Sequence, residues 1–335
     1  MTTVDPPLPR EIQLEVTGAC NLACRMCLVR YRPRLGKRQG AMCFHVFKSI
    51  VDDLPDLEKL TLQGLGEPLL APDFEEMVEY ACARGVRVGF NTNGIFLTRD
   101  RSERLVRAGV DWLHVSLDGA TKATYEGIRD GSDFETVLDN ISELVRVRRR
   151  CCTDRPTIQL VFVAMRRNLH ELSAVVRLAA SLGVESVWVQ NLSHSFADTD
   201  PSGSYAEIRR FSAGEALWAN PNPEAARLFD EGRVLAEELG IELRLPRLEE
   251  PPRGVRKAGS PGCHWPFDSA YVGHDGVVQP CCMVMGADRA VLGNAEIDGF
   301  ASVWRSDEYR TFREALLTDE PPEICLGCSL YRKVF

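Results

Sequence analysis

Residues 11–27 read EIQLEVTGACNLACRMC. The first part, Glu11–Thr17, reads as a strand, and Cys20, Cys24 and Cys27 follow it directly. Three thiolates within eight residues at the end of a strand point into one small volume. In a parallel α/β barrel, that end of the strands is where active sites are built. Three ligands leave one iron of a [4Fe–4S] cube without a protein ligand, and an open iron can bind a substrate or cofactor. A zinc site prefers four ligands, usually as two pairs.

The chain continues outward from this stretch as an alternation. Further strands are expected at Leu57–Gln63, Val86–Asn91, Trp112–Leu117, Thr157–Ala164 and Ser186–Asn191. Amphipathic segments separate them at Phe44–Leu54, Phe74–Arg84, Ser102–Ala108, Phe134–Arg148 and Leu169–Leu182. Six β–α units in a row imply parallel strands with helical crossovers, hence an α/β fold built on a partial (β/α)6 TIM-like barrel. The pattern breaks after Leu192, two units short of a complete barrel. The expected organisation is a barrel over 10–195, a connecting loop and helix over 196–260, and a small α+β domain over 261–335. His194–Tyr205 reads as a loop, Pro223–Leu239 as a helix, and Leu245–Pro261 as a linker. The last segment opens with a hairpin, Ala270–His274 and Val277–Pro280, around an Asp275-Gly276 type I′ turn. A helix over Phe300–Leu317 follows.

Composition narrows the function. The chain has 335 residues, 44% hydrophobic and 26% charged, which is ordinary globular composition. Its formal net charge of −8, without a basic stripe, argues against nucleic acid as a partner. The basic run Arg146–Arg150 is expected to end a helix, where cations suit the dipole. No apolar run is long enough to span a membrane, and the N-terminus has no secretory pattern. A cytoplasmic setting is expected. Twelve cysteines without a signal peptide favour metal ligation or catalysis over a disulfide framework.

The triplet resembles the Cys-x3-Cys-x2-Cys motif of the radical S-adenosylmethionine (SAM) superfamily. The resemblance implies that Cys20, Cys24 and Cys27 hold a [4Fe–4S] cluster whose open iron chelates SAM. Met26 stands where an aromatic residue near the adenine is common. Gly64-Leu65-Gly66-Glu67-Pro68 looks like the family's Gly-Gly-Glu-Pro motif, with Leu65 in place of a glycine. Its backbone would bind the SAM amino group through Gly64, Gly66 and Glu67. By the same resemblance Asn93 ends the third strand, Ser116 and Asp118 the fourth, and Gln190 and Leu192 the sixth, all toward the cofactor. Arg129 matches an arginine that often pairs with the methionyl carboxylate, a role that suits a bidentate guanidinium.

Cys263, Cys281, Cys325 and Cys328 follow the pattern Cys-x17-Cys-x43-Cys-x2-Cys. Four thiolates complete a [4Fe–4S] cube and leave no open iron. The segment resembles a twitch domain, the one-cluster relative of the SPASM domain, and a zinc ribbon is the structural alternative. Adjacent strand residues point to opposite faces, so one of Cys281 and Cys282 ligates; Cys281 is taken from its spacing. Cys43, Cys82, Cys151, Cys152 and Cys282 are then expected to be small buried hydrophobes, unless one donates hydrogen to a substrate radical. His264 and Trp265 adjoin Cys263 and could shield its cluster.

The resemblance implies two [4Fe–4S] clusters, SAM, and an electron donor such as flavodoxin or ferredoxin. A fully ligated second cluster suits electron acceptance. The leading expectation is a dehydrogenase acting on a CH–OH group of a sugar or aminocyclitol in antibiotic biosynthesis, similar to 2-deoxy-scyllo-inosamine dehydrogenase. The alternatives are an epimerase of a sugar or peptide and a maturase of a ribosomal peptide. Relatives of the last kind often begin with a leader-binding domain, whereas here the first strand starts near residue 11. A non-catalytic electron-transfer protein would not need the SAM-contact motifs. No catalytic base can be named from the residues.

Overall fold

The computed structural model describes residues 4–31, 40–218, 223–251, 261–284 and 289–335. Ten strands form one sheet in the order β10-β9-β8-β1-β2-β3-β4-β5-β6-β7. Strands β1 (Glu11–Leu14), β2 (Lys59–Leu62), β3 (Arg87–Thr92), β4 (Trp112–Ser116), β5 (Thr157–Val163) and β6 (Ser186–Gln190) run parallel. The crossovers are carried by α1 (Phe44–Asp52), α2 (Phe74–Ala83), α3 (Arg99–Ala108), α4 (Lys122–Ile128), α5 (Phe134–Arg150) and α6 (Leu172–Leu182). Arg148, Arg149 and Arg150 do fall in the last turn of α5. Two helices, α7 (Ala206–Glu215) and α8 (Pro223–Leu239), then lead to β7 (Glu242–Arg244).

The parallel pattern therefore runs one unit past Leu192. The sequence hides β7 because it is three residues long, with Glu242 and Arg244 exposed and Leu243 half-buried. A further parallel strand comes from the far end of the chain. β8 (Ser269–Val272) pairs with β1 in register from Glu11↔Ser269 to Leu14↔Val272. β9 (Val277–Gln279) and β10 (Gly293–Asn294) add antiparallel to it. The hairpin of the cysteine-rich segment is thus continuous with the barrel's sheet. That sheet stays open, with β7 and β10 as its edges.

The β8–β9 turn differs from the expected two-residue form. Gly273 N donates to Val277 O at 2.8 Å and Gly276 N to Gly273 O at 2.9 Å, so four residues make the turn. Gly276 alone has positive φ, +77°, whereas a type I′ turn needs two such residues. The expected helix Phe300–Leu317 is two helices, α9 (Phe300–Trp304) and α10 (Asp307–Leu316). Ser306 splits them: its backbone is extended, and its Oγ accepts from Tyr309 N at 3.3 Å as an N-cap.

The two faces of the sheet differ in chemistry. Ile12, Leu14, Leu60, Leu62, Val88, Phe90, Leu113 and Val115 point outward into the core under the helices. The alternate residues Gln13, Thr61, Gln63, Asn91, His114 and Gln159 line a cavity inside the barrel. A packed barrel fills its interior with branched apolar side chains. This one presents amides, so its interior is built to meet water or a ligand.

Candidate active site and auxiliary-cluster site

The loop after β1 is tied down from the other side of the barrel mouth. Ala23 N donates to Asp130 O and Arg25 N to Ile128 O, both at 2.9 Å. These bonds bring Cys20, Cys24 and Cys27 against the end of α4. Leu22 N points at Cys20 Sγ and Val29 N at Cys27 Sγ, each at 3.5 Å. Arg129 Nη1 lies 3.9 Å from Cys24 Sγ. Burial pushes the Cys20 thiol up to about 11 and the Cys24 thiol to about 12, with the neighbouring sulfurs adding to the rise. Such thiols are protonated unless a cation replaces their protons. Three sulfurs in mutual electrostatic range, Cys24 buried and Cys20 and Cys27 half-buried, faced by amides and a guanidinium, have the chemistry that suits a [4Fe–4S] cube.

The glycine-rich loop packs on the same segment. A Cβ on Gly66 would meet Thr17 O at 2.0 Å and Ala19 O at 2.7 Å. Glu67 N donates to Ala19 O at 2.8 Å. The Glu67 side chain is fully engaged within the protein: it accepts from Thr92 Oγ1 and Asn93 N, both at 2.7 Å, and from Leu69 N at 3.3 Å. Burial pushes its carboxyl up against those hydrogen bonds. What the loop can offer a cofactor is therefore backbone. Asn93 Nδ2 donates to Asn21 Oδ1 at 2.8 Å, which joins the end of β3 to the cysteine loop.

Asp118 and Arg129 meet each other. Arg129 Nη2 lies 2.7 Å from Asp118 Oδ2, with side-chain exposures of 9% and 0%. Asp118 Oδ1 also accepts from Val163 N at 2.7 Å. Its carboxylate thus orients Arg129 from behind. Burial pushes the Asp118 carboxyl up, and the guanidinium opposes it. Arg129 Nε is buried with no protein partner among the described residues. That spare donor beside Cys24 suits an acceptor such as a carboxylate. Thr121 caps α4, and Glu171 takes Ala120 N at 2.6 Å and Thr121 N at 3.1 Å, fixing the helix that ends at Arg129. Met26 and Leu192 pack in one apolar cluster with Ile128 and Met165. Gln190 lines the cavity, and Ser116 ends β4, half-exposed.

The second set lies across the cavity. Cys281 is within electrostatic range of Cys263, Cys325 and Cys328 as well as Cys282. Cys282 senses Cys263 and Cys328, and it lines the cavity. Burial raises every one of these thiols. These thiols are a donor set suited to a fully ligated cube; Cys281 and Cys282 both follow β9 instead of lying on it, so the strand alternation expected to choose between them does not apply. The loop after β6 packs against the last of these cysteines. His194 Nε2 meets Ile324 O at 2.7 Å and its Nδ1 accepts from Phe196 N at 2.8 Å. Ser195 N donates to Gly327 O at 2.9 Å and Ser329 N to Ser193 O at 3.0 Å. Arg289 pairs with Asp198 at 2.6 Å below this loop. His264 and Trp265 face the cavity. Cys43, Cys151 and Cys152 are exposed and Cys82 is half-buried, so the expectation that they are buried hydrophobes does not hold.

A cavity of about 1300 Å³ counts Met26 and Cys27 and also Cys282 and Met283 among its lining residues. Gln159 Oε1 and Trp188 Nε1, on strands that line it, are buried without partners among the described residues.

Residues 14–162 match the radical SAM superfamily and residues 263–329 the SPASM iron–sulfur cluster-binding domain. The chain is 33% identical to the mycofactocin maturase MftC of Mycobacterium tuberculosis, over 95% of this chain and 75% of the relative. It is 30% identical to the AdoMet-dependent heme synthase of Methanosarcina barkeri, over 97% and 90%. In structure it is similar to SuiB of Streptococcus suis bound to S-adenosylmethionine, with a TM-score of 0.69, 15% identity, and 97% and 72% coverage.

Proposed function

From the premise that the chain belongs to the radical SAM superfamily, we propose that it oxidatively matures a peptide or peptide-derived precursor bound between its two cysteine sets. SAM and iron–sulfur clusters are the cofactors that membership brings. When bound, they supply a 5′-deoxyadenosyl radical that takes hydrogen from a substrate carbon, and a one-electron acceptor at the second set. The chain's own residues do the rest. Arg129 offers a carboxylate site beside Cys24, with Asp118 fixing its direction. The Gly64–Glu67 backbone shapes the adjoining wall. Met26 and Leu192 form an apolar surface that keeps water from the same region. Cys263, Cys281, Cys325 and Cys328 hold the acceptor across the cavity.

The observation that carries the reading is a cavity lined by both Cys27 and Cys282. Its lining of Gln13, Gln63, Asn91, Gln159 and Gln190 pairs donors with acceptors, as a peptide backbone requires. A relative of substantial identity is named a maturase. These points favour a peptide over a sugar or aminocyclitol.

The test is anaerobic turnover of the reconstituted protein with SAM, dithionite and two substrate panels. One holds precursor-like peptides encoded beside its gene; the other holds sugars and aminocyclitols. A SAM-dependent loss of hydrogen from a peptide supports the reading. A ketone formed only from an aminocyclitol replaces it with alcohol dehydrogenation. Absence of 5′-deoxyadenosine under every reducing condition overturns both.

A further inference from the structure

Glu15 lies on the chain just past β1 and is used by none of the motifs. Its side chain is 7% exposed and accepts three hydrogen bonds. Leu65 N donates at 2.5 Å, Tyr271 Oη at 2.8 Å and His274 Nδ1 at 2.8 Å. The first donor belongs to the glycine-rich loop; the other two belong to β8 and its turn. The packing is as close as the bonding. A Cβ on Gly64 would lie 2.3 Å from Glu15 Oε2, and one on Gly18 would lie 2.6 Å from His274 Cε1. The Glu15–His274 pair therefore touches both the loop at Gly64–Leu65 and the segment that runs into Cys20. Burial pushes the Glu15 carboxyl up, but the bonds from His274, Leu65 and Tyr271 outweigh it and hold it below its usual value. It stays an anion, the stronger acceptor for an amide.

We propose that Glu15 is a positioning residue for SAM, and that its two donors from the C-terminal hairpin make SAM binding depend on the docking of the auxiliary-cluster domain. A backbone loop can hold an amino group only if its carbonyls and amides are fixed, and Glu15 fixes the peptide at Leu65. Losing Tyr271 Oη or His274 removes one of the three bonds that fix that carboxylate, although neither residue belongs to the loop. The two sites are thus linked through one side chain, not through the substrate. The inference rests on assigning Gly64–Pro68 to SAM.

The experiment compares wild type with Glu15→Gln, Tyr271→Phe and His274→Gln. Iron content, SAM Kd by anaerobic titration, and the change SAM makes in the reduced-cluster EPR signal are measured on reconstituted protein. Hydrogen exchange of the peptide spanning Gly64–Glu67 is measured without SAM. Glu15→Gln is expected to keep its iron, raise the SAM Kd about tenfold, and speed exchange at Leu65, the scale of one charge-assisted hydrogen bond. Tyr271→Phe and His274→Gln are each expected to raise Kd about threefold and speed the same exchange. A Kd within about twofold of wild type overturns the positioning role for Glu15→Gln, and the inter-domain link for the other two. If Glu15→Gln does not fold, the remaining pair decides both points through exchange at Leu65. Failure of wild type to bind SAM would instead sink the functional proposal.

Discussion

Replacing Gly66 by alanine tests the geometry of the first site most directly. The added Cβ would stand 2.0 Å from Thr17 O and 2.7 Å from Ala19 O. Ordinary contact is about 3.4 Å, so the loop or the strand end must give by about 1.4 Å. Both obstacles are backbone, and Ala19 O already holds Glu67 N. Neither can swing aside as a side chain would. The displaced residues lead into Cys20 on one side and hold the glycine-rich loop on the other. Overpacking of this kind costs about 1–3 kcal/mol. A shift of about 1 Å at a reacting geometry costs about 10²-fold in rate. The expected result is a fall of about 10²-fold in 5′-deoxyadenosine formation with a modest loss of stability. The assay is anaerobic SAM cleavage with dithionite, quantified by chromatography, beside chemical denaturation. Gly214→Ala is the control: its added Cβ meets nothing within 4 Å. In helix α7 that change should be neutral or stabilising by up to about 1 kcal/mol. Cleavage by Gly66→Ala within about threefold of wild type would refute the reasoning, because the contact would then have relaxed without moving the site.

Three further outcomes are expected. Cys281→Ser should lose the second cluster, about four irons per chain, while Cys282→Ser keeps it; iron analysis and visible absorption decide, and the reverse pattern would exchange their roles. Asp118→Asn leaves Arg129 buried without its counter-charge and should cost about 3–5 kcal/mol in urea unfolding, so a cost under about 1 kcal/mol would show that water reaches the pair. His114 is held neutral by burial, its pKa lowered to about 4 from 6.5. The unfolded chain takes up its proton near pH 6.5 and the folded one only near 4, so stability should be full above pH 6.5 and fall toward pH 4 by up to about 3 kcal/mol. His114→Gln should flatten that part of the stability–pH curve; an unchanged slope would mean that other groups carry it.

The parts of the molecule legible in the sequence are those written in local spacing. The cysteine triplet, the run of β–α units and the glycine-rich loop each depend on near neighbours. Strands β1 to β6 are found near their expected places, although helix α4 and strand β7 add to the expected run. What the sequence concealed depends on residues far apart. Tyr271 lies 256 positions from Glu15, and no local pattern announces that they share a hydrogen bond. Asp118 and Arg129 are each expected to face the cofactor, and the structure pairs them with each other, because burial of two opposite charges favours mutual satisfaction. The contact of His194 with Ile324 O, which holds the last cysteine loop, likewise joins residues 130 positions apart. Strand β7 was missed because its edge position leaves Glu242 and Arg244 exposed, which removes the apolar run that marks an inner strand.

The pairing of β8 with β1 has a consequence for synthesis on the ribosome. Glu11 waits for Ser269, 269 − 11 = 258 positions later. At about 5–20 residues per second, that delay is roughly 13–50 seconds. Throughout it, one edge of the strand that leads to the first cysteines is an unpaired row of amides and carbonyls, open to another nascent chain. Protection from aggregation thus rests on one strand edge, and a chain cut short before residue 269 would hold Cys20, Cys24 and Cys27 with no β8 to cover that edge of β1.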